Sequence, residues 1–95
     1  MSAYVITDVE ITDPDLFGQF FERVTGTVEA HGGRFVARGG EIDVRLGSWA
    51  PKRLAILEFG SMEQARAWLA SPEYTALDDI RSRSANINMV VTEGL

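Results

Sequence analysis

From Ala3 to Ile11 the side chains alternate, with Val5, Thr7, Val9 and Ile11 on one side and Tyr4, Ile6, Asp8 and Glu10 on the other. A period of two predicts a β-strand. Asp13-Pro14 then supplies an N-cap residue and a proline suited to the first helical position. Phe17, Phe20, Phe21, Val24 and Val28 follow at helical spacing. Gly32-Gly33 ends this helix, because glycine enters the left-handed cap conformation without steric cost. Arg34 to Arg38 is expected as a second strand, broken by Gly39-Gly40. Ile42 to Leu46 reads as a short extended piece, an arm of an edge hairpin. Gly47 to Pro51 reads as a loop and Lys52 to Phe59 as the third strand. Ser61 and Gln64 form a capping-box pair. They precede a helix whose apolar stripe is Met62, Ala65, Trp68 and Leu69. Ser71-Pro72 restarts that helix at a new angle, with Tyr74, Leu77, Ile80 and Arg81 on one face. Asn86 to Glu93 is expected as the last strand.

The order strand, helix, strand, strand, broken helix, strand predicts an α+β fold. It is a ferredoxin-like βαββαβ sandwich, an antiparallel sheet with its helices on one face. The other face would carry Ile6, Val36, Leu54, Ile56 and Met89, too apolar to stay wet. A second copy packed sheet to sheet about a two-fold axis would cover it. The competing expectation is a monomer with a twisted, partly wet sheet.

Ninety-five residues make one domain, 1–95, with a modest core. An apolar fraction of 45% fits a globular chain rather than a disordered one. No run reaches the length of a membrane span, and the N-terminus shows no basic region followed by an apolar stretch. With no cysteine there is no disulfide and no thiol nucleophile or ligand. These features favour the cytoplasm. A formal net charge of −5 offers no basic surface for nucleic acid. The basic residues are nearly all arginine, with Lys52 the lone lysine. Arginine's planar fork suits carboxylates, although a general preference for arginine explains the bias equally simply.

Four segments in register, VITDVEITDPDLF, HGGRFVARGGE, WAPKRLAILEF and SMEQARAWLASPEY, resemble the domain of unknown function family 1330 over nearly the whole chain. The resemblance implies a dimeric α+β barrel, in which two ferredoxin-like sheets face each other. Relatives of that fold include small monooxygenases, isomerases, dehalogenating enzymes, haem proteins and plain ligand-binding modules. The resemblance therefore carries no catalytic residue to this chain, since fold alone does not fix function.

Candidates for chemistry are polar residues on apolar faces. With strands one and three taken as parallel neighbours, and Arg34 paired across from Glu58, Asp8 falls beside Glu58. Tyr4 and Arg38 then lie at the other end of the open face. Two adjacent carboxylates repel, which would raise one pKa and make a general base. The simpler expectation is that Arg34 neutralises them at a rim or interface. His31, the single histidine, is expected to point inward at the end of the first helix. It is either a proton shuttle or a cation favoured by the helix dipole. One histidine without cysteine makes a metal site improbable, and no cofactor is implied. Arg81 shares an inward face with Tyr74, so a ligand carboxylate could be its partner; Asp78 is the alternative. Trp49 is expected as a loop lid or a residue that reaches a partner subunit.

The catalytic candidates are thus His31, Glu58 and Asp8, and the ligand-binding candidates Arg38, Trp49, Tyr74 and Arg81. His31, Arg38, Trp49, Tyr74 and Arg81 are expected round one pocket per subunit of a homodimer. It would hold a small organic molecule, with anionic and aromatic ones the leading classes. Any chemistry there would be cofactor-independent proton transfer or oxygenation. The alternative is a non-catalytic dimeric binding or regulatory module, whose polar residues serve the interface.

Overall fold

The computed structural model describes all residues 1–95. Strand β1 spans Ala3–Ile11, helix α1 Pro14–Ala30, strands β2 Arg34–Arg38 and β3 Leu54–Phe59. Helices α2 Met62–Ala70, α3 Pro72–Thr75 and α4 Asp78–Ser84 follow, and β4 Ala85–Glu93 ends the order. The sheet is antiparallel throughout, in the order β2-β3-β1-β4. This is the ferredoxin-like α+β arrangement. No helix is long and apolar enough to cross a membrane.

Local chemistry sets the helix ends. Asp13 accepts a hydrogen bond from the Leu16 amide and Pro14 opens α1. Ser61 accepts from the Gln64 amide at the start of α2. Ser71 accepts from the Tyr74 amide at the start of α3. The broken helix is broken twice, once before Pro72 and again at Ala76 and Leu77. Tyr74, Leu77 and Arg81 nonetheless keep facing the sheet, since Tyr74 and Leu77 are buried and Arg81 lines the interior.

The core lies between the helices and one sheet face. Ala3, Val5, Val9, Leu57, Phe59 and Ala85 meet Phe17, Phe20, Val24, Val28 and Trp68 there. Phe59 stacks on Trp68 with ring centroids 5.3 Å apart, and Trp68 meets Tyr74 at 4.5 Å. The Trp68 indole N–H donates to Thr27 Oγ1, so this core tryptophan keeps a hydrogen bond, as buried indoles generally do. Overall extents are 35 × 32 × 16 Å, and the short dimension is that of one sheet under one helical layer.

Four details differ from the expectations above. Ile42 to Leu46 forms no strand, because no neighbouring strand pairs with it; Leu46 is fully exposed. β3 begins at Leu54 rather than Lys52, because the Asp8 carboxylate takes the Lys52 amide. β1 and β3 are antiparallel, because β3 returns directly between the parallel pair β1 and β2. Met89 lies opposite buried Thr7 and packs on the core. Val90, opposite Ile6, takes the place on the open face expected for Met89.

Gly33 carries the tightest backbone approach at the end of α1. A Cβ there would stand 2.5 Å from Phe59 Cε1 and 2.9 Å from Val28 Cγ1. Gly26, in α1, has nothing within 4 Å of such an atom. Gly33→Ala should therefore destabilise by about 1–3 kcal/mol through overpacking. Gly26→Ala should stabilise by about 0.5–1 kcal/mol through helix propensity. Urea midpoints of the two variants against the parent check both signs.

Candidate functional site: an apolar cavity with arginines at its mouth

Between α1 and the covered sheet face lies a cavity of about 50 Å³. Thr7, Val9, Ala55, Leu57, Ile87 and Met89 form its floor. Phe17, Phe20, Phe21 and Val24 of α1 form its roof, and Tyr74 and Arg81 of the broken helix also line it. The floor residues come from three strands but share one parity, which is why alternating patterns in the sequence bring them together. No buried polar side-chain atom lacks a hydrogen-bond partner. Thr7, for instance, donates to the Ala55 carbonyl at 2.8 Å.

Outside this cavity an open groove shares three of its walls: Phe17, Phe21 and Arg53. Arg38, Gly18, Glu22 and Thr25 line the groove beyond them. The Arg53 guanidinium lies 5.9 Å from the Phe17 ring centre. The Arg38 guanidinium lies 5.4 Å from that of Phe21 and 5.7 Å from that of Phe35. These are cation–π distances. A β-bulge brings Arg38 to this side. Phe35 pairs with Leu57, but Ala37 pairs with Ile56 and Arg38 with Ala55, so Val36 is the extra residue. The shift turns Arg38 from the open face, where it was expected, to the helix-covered face.

Arg81, a further lining residue, donates to Asp78 Oδ1 at 2.6 Å. Burial disfavours its charge, but the bond to Asp78 and the neighbouring Tyr74 outweigh this and hold its pKa above the usual value. Arg81 thus has its carboxylate within the chain.

The expected five-residue pocket is therefore divided. Tyr74 and Arg81 line the cavity, and Arg38 stands in the outer groove. His31 lies at the C-terminal end of α1, with Nδ1 3.0 Å from the Thr27 carbonyl, and does not line the cavity. One turn of α1 separates it from Val28, the cavity residue nearest in sequence. Trp49 is on the opposite sheet face, where its indole N–H donates to Asp8 Oδ2 at 3.1 Å. With Ile6, Asn88 and Val90 it bounds a shallow cleft there.

Asp8 and Glu58 do not meet either. The antiparallel register places Tyr4 opposite Glu58 and Asp8 opposite Leu54. Four residues of strand, roughly 13 Å, separate the two carboxylates. Glu58 accepts from Arg34 Nε at 2.9 Å and from the Tyr4 hydroxyl at 3.0 Å. Arg34 first, and then Tyr4, hold its pKa below the ordinary carboxylate value. The raised carboxylate is therefore absent from this position, and the simpler expectation, Arg34 neutralising Glu58, is what the structure has: Glu58 is a stabilised anion and a weakened base. The same contact raises the Tyr4 pKa, because ionised Tyr4 could not donate to Glu58 and would face its charge.

Arg53, and the place of Phe17 and Phe21 between cavity and groove, are the features the sequence did not announce. Arg53 lies two residues before Ala55 and four before Leu57, so it shares their parity and their side of the sheet. An arginine on an otherwise apolar stripe was the available signal, the same one that singled out Arg81. No group of three or more histidine, aspartate or glutamate residues is gathered where it could hold a metal ion.

The family model described as Domain of unknown function (DUF1330) matches residues 2–95. The chain belongs to the DUF1330 family. No curated protein matches it in sequence. Several crystal structures share the fold at low identity. A protein of unknown function from Rhodopseudomonas palustris aligns at 13% identity with a TM-score of 0.80, over 99% of this chain and 82% of that one. SnoaB, a cofactor-independent oxygenase from Streptomyces nogalater, aligns at 12% identity and a TM-score of 0.68, over 99% and 93%. A dimeric protein of unknown function and ferredoxin-like fold from Bacteroides fragilis aligns at 14% identity and a TM-score of 0.55, over 98% and 96%. At such identities the likeness shows the fold of this DUF1330 protein and not its activity.

The Tyr4–Glu58–Arg34 set gives a pH prediction with a definite sign. Glu58 has a lowered folded pKa, so its stabilising contribution is present above its unfolded value, near 4.5, and is lost as pH falls through the folded value. Tyr4 has a raised folded pKa, so its contribution is present below 10 and is lost as pH rises through the folded value. In urea unfolding, the parent's advantage over Glu58→Gln should be present at neutral pH and shrink in acid. Its advantage over Tyr4→Phe should shrink in alkali. An advantage over Glu58→Gln that is unchanged in acid would refute the assignment.

Proposed function

We propose that this protein is a homodimer that binds one small organic molecule per subunit between α1 and the sheet. The carrying observation is the apolar cavity beneath Phe17 and Phe21, continuous at its walls with an open groove. Ligand sites are commonly concave, apolar and furnished with a few polar groups. As it stands, about 50 Å³ is smaller than the roughly 150 Å³ cavity that accepts benzene. An occupant therefore extends into the groove, or moves the Phe17 and Phe21 rings aside.

The cavity lining contains no carboxylate and no imidazole; its titratable side chains are Tyr74, Arg53 and Arg81. Proton abstraction by a protein base is thus poorly served. SnoaB is a cofactor-independent oxygenase. Carried to this chain, that chemistry would fall to a substrate already acidic or electron-rich enough to react with dioxygen. The protein would supply exclusion of water, orientation and cationic arginines near a developing anion. Asp8 and Glu58, on the other sheet face, serve the interface in this proposal rather than catalysis.

The dimer rests on the open face. Ile6, Leu54 and Ile56 are half-exposed there, while Val36 is 45% and Val90 60% exposed. Such a patch calls for cover, and the Bacteroides fragilis fold neighbour is itself dimeric. A cytoplasmic location belongs to the same proposal, on the strength of a cysteine-free sequence.

Two measurements test this reading. Sedimentation should give twice the 10.5 kDa chain mass, and Val90→Arg should shift the population towards single chains. In a thermal-shift screen of small aromatic and aliphatic compounds, a ligand at a hundred times its Kd should add about 2.7 kcal/mol of stability. Ala55→Val narrows the cavity and should abolish that gain while the variant still folds. A screen in which no compound raises the melting temperature contradicts the ligand reading.

A further inference from the structure

We propose that Arg38 and Arg53 select an organic acid, holding its carboxylate at the mouth while its apolar body passes between Phe17 and Phe21 into the cavity. The inference rests on the ligand reading above and names the chemical class of the ligand.

The two guanidinium groups arrive by separate routes. Arg53 precedes β3 and continues the inward stripe of Ala55 and Leu57, while Arg38 is turned inward by the bulge at Val36. Both line the same groove, and both lie over its aromatic rings. Gly39 makes room for one of them. Its φ is +71°, and a Cβ on it would stand 2.6 Å from Arg53 Cζ. Arg53 is thus seated against the backbone, with its fork at the pocket edge.

Neither arginine takes part in an ion pair, although the chain has 14 acidic residues against 9 basic ones. Glu22 stands on the same groove and pairs with neither. Stacking over an aromatic face leaves the in-plane N–H donors of a guanidinium available. Two such forks on one groove, beside the Phe17 and Phe21 rings, present donors of the kind that carboxylates accept in pairs. In a protein of net charge −5 this is a local reversal of sign. An amine would meet two like charges here against the single carboxylate of Glu22. A neutral amide offers the arginines one uncharged acceptor, and hence a weaker hydrogen bond than a carboxylate does. Arg81, by contrast, is already neutralised by Asp78, so the cavity itself favours an apolar group.

The test uses three matched probes, phenylacetate, phenylacetamide and phenethylamine, titrated by calorimetry into the full chain. Phenylacetate is expected to bind at least about tenfold more tightly than the amide, from charge-assisted hydrogen bonds, and the amine most weakly. Arg38→Gln and Arg53→Gln should each weaken phenylacetate by a larger factor than the amide, and the double variant should remove the preference for the acid. Arg45→Gln, at an exposed arginine paired with Asp43 outside the pocket, should change neither. If a variant proves poorly folded, the parent protein still reports. Its Arg38 and Arg53 Nε–H resonances should move further downfield with phenylacetate than with phenylacetamide. Equal affinity for acid and amide overturns the arginine assignment and leaves the cavity reading standing. Binding by none of the three overturns both.

Discussion

A β-strand sends successive side chains to opposite faces of its sheet, and here every helix lies on one of those faces. Each strand residue is thereby committed either to a closed interior or to a surface with no covering layer. Val5, Thr7 and Val9 belong to the first, and Tyr4, Ile6 and Asp8 to the second. The cavity, the buried aromatics and the arginine mouth follow from one parity. The Tyr4–Glu58–Arg34 set, the Asp8–Trp49 bond and the exposed valines follow from the other. A ligand and a partner subunit would then occupy opposite sides of a single sheet without competing.

One residue escapes strict alternation, and function is read differently because of it. Without the extra residue Val36, Arg38 would stand on the open face with Glu58 and Tyr4. The bulge places it over Phe21 and Phe35 instead, at the entrance to the interior. Bulges are suited to this, since one inserted residue re-aims every side chain beyond it. The edge position of β2 makes the distortion cheap, because only β3 pairs with it.

The fold was legible in the sequence because its signals are local. Alternation in β1, helical spacing from Phe17 to Val28, the serine caps and the Ser71-Pro72 break all act within a few residues. The pairing of Arg34 with Glu58 was also legible, since it follows from their places in successive strands. What the sequence did not disclose was non-local. Placing Asp8 beside Glu58 required the relative direction of β1 and β3, and the wrong direction moved a carboxylate to the far end of the sheet. Arg38 required a bulge that no glycine marks. Arg53 was hidden by its position just outside the strand, although its parity with Ala55 pointed inward. Trp49 depended on a loop that two hydrogen bonds to Asp8, from the Trp49 indole and the Lys52 amide, tie to β1.

In the proposed homodimer the two faces of the sheet live in different environments, one closed by helices and the other by a second chain. Methyl NMR with a soluble paramagnetic gadolinium chelate measures this directly. Val5 and Val28 provide buried references at 0% and 1% exposure, and Leu95 a fully exposed one. The Val36, Val90 and Ile56 methyls are expected to be protected like Val5, although a single chain leaves Val36 and Val90 45% and 60% exposed. If those methyls are instead broadened in step with Leu95, the open face meets water in solution and the account is wrong.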